Sequence, residues 1–93
     1  MFSLTAVPGS NGSVTLALAG SVSEDVLPEI CHLIGRGQQN KMRIMLDLSE
    51  VTLIDRGSAR FFAEQMEEGI ELVDCPSYLQ RWILREVKHE QNR

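Results

Sequence analysis

The chain has 93 residues, enough for one hydrophobic core and not two, so a single domain over residues 1–93 is expected. Hydrophobic residues at 43% beside 24% charged residues describe an ordinary globular composition and exclude a largely disordered chain. No apolar run approaches the ~20 residues of a membrane span, and no basic segment leads into an apolar one as in a secretory signal. A net charge of −4 gives no basic footprint for nucleic acid. The expectation is a cytoplasmic protein with no direct membrane insertion and no nucleic-acid partner.

Residues 2–7 and 13–19 read as strands, because Val14, Leu16 and Leu18 alternate with Thr15 and Ala17. Pro8-Gly9-Ser10-Asn11-Gly12 between them carries two strong turn signals, so the pair should form a hairpin. Gly20 is expected to end the second strand, and Ser21 with Glu24 has the spacing of a capping box. Pro28 belongs in a first helical turn, which places that helix's start within residues 23–25. Val26, Leu27, Ile30, Cys31 and Ile34 give it one apolar face, and Gly35 and Gly37 should close it.

Residues 41–48 form the expected central strand, whose continuous Ile44-Met45-Leu46 run suits burial on both faces. A second helix over residues 57–68 shares Ala59, Phe62, Ala63 and Met66 on one face, with Gly69 as its stop. Residues 70–73 make the last strand, Pro76 breaks it, and Ser77 can cap a third helix. Leu79, Trp82, Ile83 and Val87 would line that helix's inner face, with Arg81 and Arg85 outside, Glu86 on a solvated charged face and fraying from about Lys88. The order β-β-α-β-α-β-α implies an α/β fold, a four-stranded mixed sheet covered by about three helices.

Asp47-Leu48-Ser49-Glu50-Val51-Thr52-Leu53-Ile54-Asp55-Arg56-Gly57-Ser58 is the most informative stretch, a strand passing through a polar turn into a helix start built of small residues. Its pattern Asp-Leu-Ser-x-Val-x-x-Ile-Asp resembles the STAS domain, the family of anti-sigma-factor antagonists and of the cytoplasmic domains of sulfate transporters. The element order matches that family along nearly the whole chain, although the second helix is shorter. In the antagonists the residue straight after this Asp is the hydroxyl that a partner kinase phosphorylates, and here it is Arg56. The resemblance therefore implies the fold and argues against the usual switch. Ser58, standing where the family has its glycine, is left as either a displaced phosphorylation site or a helix cap.

What the resemblance implies for function is a regulatory protein-interaction module whose partner-binding residues are Ile54, Asp55, Arg56, Gly57, Ser58 and Phe61. The partner would be an anti-sigma factor or a kinase-like protein. Two alternatives stand beside it: an accessory subunit of a membrane transport complex, holding a transporter ATPase subunit, and a module binding a nucleotide or other anion. The turns at residues 20–23, 49–58 and 74–77 should cluster at one end of the sheet, where helix N–H groups favour anions. Glu24, Asp25, Asp47, Glu50, Asp55 and Asp74 would repel a phosphate there unless Arg56 offsets them, and otherwise serve as helix caps.

Catalysis, a cofactor and a metal are not expected. His32 and His89 lie far apart with no triad or zinc spacing, and no Gly-rich phosphate loop is present. Cys31 and Cys75 have no Cys-x-x-Cys spacing and read as two buried thiols in a reducing compartment.

Overall fold

A computed structural model describes the backbone of residues 1–91 and the side chains through Val87. β1 (Phe2–Pro8) and β2 (Ser13–Val22) form the antiparallel hairpin, and β3 (Arg43–Ile54) and β4 (Glu71–Val73) extend it in parallel, in the order β1-β2-β3-β4. α1 (Leu27–Gln39), α2 (Arg56–Glu67) and α3 (Ser77–Gln91) complete an α/β fold in the expected β-β-α-β-α-β-α order. The fraying expected beyond Lys88 falls on side chains outside the described residues, and the backbone stays helical to Gln91.

One core joins sheet and helices. Leu16, Leu18, Leu46 and Leu48 from the central strands meet Ile30 and Ile34 of α1, Phe62 of α2, and Leu79 and Ile83 of α3. Each such side chain taken fully out of water contributes about 1.5–3 kcal/mol. Because these inward residues alternate with half-buried Thr15, Ala17, Met45 and Asp47, the central strands bury one face and not the expected two.

β3 runs six residues further than its apolar stretch suggests, so the expected polar turn is mostly strand. Its pairing with β2 takes one extra residue between Asp47 and Glu50, and another between Val51 and Leu53. A bulge of one residue shifts side-chain parity by one, and that is why Leu48, Val51 and Ile54, three apart, all stay in the core. The Asp47 carboxylate accepts the Ser49 N–H at 2.9 Å, satisfying a donor beside the first bulge. The Asp-Leu-Ser of the central string is thus a bulge device.

Other boundaries also move. β2 does not end at Gly20 but passes through it at φ 88°, where a Cβ would overlap the Met1 carbonyl. Ser21 is therefore strand rather than cap, and Ser23 precedes a 3₁₀ turn (Glu24–Val26) that leads into α1. Gly35 and Gly37 lie inside α1, which ends at Asn40 with Lys41 turning at φ 58°. Gly37 is there for contact: a Cβ would come within 2.8 Å of Ile44 Cδ1. Cys31 is exposed on the flank of α1 and Cys75 only half-buried, against the expectation of two buried thiols; burial still pushes the Cys75 thiol above its ordinary 9.0. Met66 is likewise exposed, and Phe61, expected to face a partner, is buried. No helix among the described residues is long and apolar enough to cross a membrane.

Candidate functional site

The carboxyl ends of β2 and β3 lie side by side, Val22 opposite Ile54, and both strands leave there for a helix. Asp55 ties the two exits together. Its Oδ1 accepts the Ser58 N–H at 2.8 Å, capping α2, and its Oδ2 accepts the Glu24 N–H at 3.0 Å, capping the 3₁₀ turn. The cap of α2 is thus Asp55 and not Ser58. Burial would by itself raise the Asp55 pKa, but the hydrogen bonds from Ser58 and Glu24 outweigh it and hold the carboxyl below its ordinary 3.8.

Ser58 is sealed in. Its residue is 0% exposed, and its hydroxyl donates to the Val22 carbonyl at 3.0 Å, a carbonyl that also accepts the Asp55 N–H at 3.4 Å. Ile54 and Phe61 belong to the core as well. Gly57 is half-buried beneath the Glu24 side chain, which a Cβ at that position would strike. Of the six residues expected to face a partner, Arg56 is the one that stands clearly in solvent, with Asp55 and Gly57 partly exposed beside it.

Arg56 is exposed but not loose. Its Nε lies 3.7 Å from Glu86 Oε2, and Arg60 Nε lies 3.8 Å from Glu86 Oε1. Glu86 is only 6% exposed, and its Oε1 has no hydrogen-bond partner, so the two guanidiniums offset its buried charge through space rather than by close pairing. This carboxylate, expected on a solvated face, instead anchors α3 to the first turns of α2. Its position three residues after Ile83 and seven after Leu79 places it on the inner stripe, and that spacing was the available signal. Leu53, for which no role is expected from its type or spacing, is 63% exposed, two positions before Asp55.

The third turn does not join this end. β4 stops opposite Asp47, seven residues before β3 ends, so the loop after Val73 leaves the sheet well short of Asp55, and the start of α3 reaches the end of β3 through Tyr78, whose hydroxyl donates to the Thr52 carbonyl at 3.2 Å. Asp47 and Asp74 therefore stand apart from Glu24, Asp25 and Asp55, as does Glu50, which pairs with Ala19 three residues before the end of β2, so the expected six-acid cluster reduces to those three. No group of acids, histidines and cysteines among the described residues is arranged to hold a metal ion. No protein-family model matches the chain, and a search of curated proteins found no match either.

Proposed function

We propose that this chain is a STAS-like regulatory module of the cytoplasm that works by binding a protein partner at the β3–α2 junction, with Arg56 as a fixed recognition residue and no serine phosphorylation as its control. The observation that carries this reading is the pairing of an exposed Arg56 with a buried Ser58. The residue in the family's acceptor position cannot take a phosphate, and the only nearby hydroxyl of that turn is committed to the Val22 carbonyl. A junction capped by Asp55 and braced by Glu86 is already ordered, so a partner meets it without the entropy cost of ordering a loop. Leu53 adds exposed apolar area next to the charge, a combination suited to a partner contact.

The partner reading covers an anti-sigma factor, a kinase-like protein or the ATPase subunit of a transport complex, since each would dock on the same surface. The nucleotide or anion reading is disfavoured because Asp55 sets a carboxylate at both helix starts, where it takes the N–H groups of Ser58 and Glu24 and repels an anion from the neighbouring donors. Catalysis has no support at the junction either, because Ser58 faces a carbonyl and no base.

The test is affinity capture from the native host with the wild type and with Arg56→Glu. A partner retained by the wild type should bind Arg56→Glu more weakly by about 1–3 kcal/mol, the range for losing a charge-assisted hydrogen bond. Equal retention by the two proteins would remove Arg56 from the interface.

A further inference from the structure

The two edges of the sheet are finished in opposite ways. β4 is three residues long, carries Glu71 in an ion pair with Arg43 at 3.2 Å, and ends at Asp74, whose φ of 52° turns the chain away. Short, charged and bent edges are how sheets avoid pairing with foreign strands. β1 has seven residues and pairs with β2 without a register break. Residues 1–23 include no ionisable side chain, so no charged side chain of the hairpin guards this edge.

The register decides which groups of β1 face outward. The Met1 carbonyl accepts from the Ser21 N–H at 3.0 Å, and the Gly9 N–H donates to the Ser13 carbonyl at 2.8 Å. Odd-numbered residues of β1 thus turn their backbone groups to β2, and Phe2, Leu4 and Ala6 turn theirs to the free edge. Pro8 is next in that series and has no N–H to offer. The free donors are those of Phe2, Leu4 and Ala6, a set symmetric about Leu4.

We propose that β1 pairs antiparallel with β1 of a second copy, around a twofold axis at Leu4, so that two sheets join into one. Phe2 then lies opposite Ala6 of the second copy, Leu4 opposite its own counterpart, and each such pair exchanges two backbone hydrogen bonds. Charge selects this occupant. Two copies that each carry a net charge of −4 repel where charged surfaces meet, and the strand pair itself joins without a charged side chain, with Glu29 of α1 beside it on the groove wall. Twofold symmetry also brings every outward donor to an outward acceptor. An open groove of about 670 Å³ runs between β1 and α1, floored by Phe2 and Leu4 and walled by Pro28, Glu29, His32 and Leu33. The apolar side chains of the second strand would cover it.

An interface of one strand and one groove is at the small end of specific contacts, so the dimer should form over roughly 10 µM to 1 mM. Sedimentation velocity across that range should show the average mass of the wild type rising toward twice that of the chain. Ser3 and Thr5 are exposed, and in this register Ser3 lies opposite Thr5 of the second copy. Ser3→Lys combined with Thr5→Lys sets like charges face to face and should keep the protein monomeric, whereas Ser3→Lys combined with Thr5→Glu sets opposite charges face to face and should dimerise at least as well as wild type. At the high concentration, amide exchange should slow at Phe2, Leu4 and Ala6 while Thr5 and Val7, already bonded to β2, do not change. A wild type that stays monomeric through the range, or two charged variants that behave alike, would overturn the proposal.

Discussion

Replacing Asp55 by alanine removes one carboxylate that serves two helices. The Ser58 N–H loses an N-cap acceptor, a change that costs about 0.5–2 kcal/mol. The Glu24 N–H loses its acceptor too, and because that bond is exposed, water replaces part of it, leaving a cost of about 0.5–1 kcal/mol. The sum of about 1–3 kcal/mol corresponds to a fall in melting temperature of roughly 5–20 °C for a domain of this size. Urea unfolding followed by circular dichroism measures it, and Asp55→Asn, which keeps an acceptor, should lose less than Asp55→Ala. The acid dependence carries the sign. A carboxyl held below its ordinary 3.8 in the folded state contributes stability that is complete above that value and is lost as pH falls through the folded value. The gap between wild type and Asp55→Ala should therefore narrow in acid. A loss under about 0.3 kcal/mol, or a gap that widens as pH falls, would refute the double-cap account.

Leu46→Ala and Phe62→Ala, both at fully buried positions, should each cost roughly 2–5 kcal/mol in denaturant melts, and a change below about 1 kcal/mol would show that the core is not as described. A double-mutant cycle of Arg56→Ala with Glu86→Gln should give a coupling of only about 0.5–1 kcal/mol, because the Arg56 side chain is 65% exposed and the ions are 3.7 Å apart. A coupling near zero would mean that Arg60 alone offsets Glu86.

The sheet and its helices were legible because their signals are local. Pro8-Gly9 and Asn11-Gly12 mark the hairpin turn, and Leu79 and Ile83 mark the inner face of α3 at helical spacing. The end of β3 was not legible, since a strand with two bulges replaces the alternation of period two by buried residues three apart, and Ser49-Glu50 between them reads as a turn. Gly35 and Gly37 misled for a related reason. A glycine retained for close contact with Ile44 has the same sequence signature as one that ends a helix.

At the site, the string from Asp47 to Ser58 located the junction and the role of Arg56 as an exposed charge. It did not reveal that Ser58 and Phe61 turn inward, because at a helix start a shift of one residue exchanges solvent for core. Glu86 was hidden by its type: a carboxylate among arginines near the end of a chain is usually solvated, and only the proximity of Arg56 and Arg60, brought from α2, makes its burial tolerable.

The claim that the β3–α2 junction is a fixed surface and not a phosphorylation switch is tested most directly by intact-mass spectrometry. The wild type and Arg56→Ser are incubated with ATP and extract of the native host, and phosphate is located by fragmentation. The account predicts an unmodified wild type, with modification confined to Arg56→Ser, whose new hydroxyl would stand exposed in the position phosphorylated in the antagonists that the central string resembles. Stoichiometric phosphate on Ser58 of the wild type would contradict it, since that hydroxyl would have to leave the core and the Val22 carbonyl to be reached.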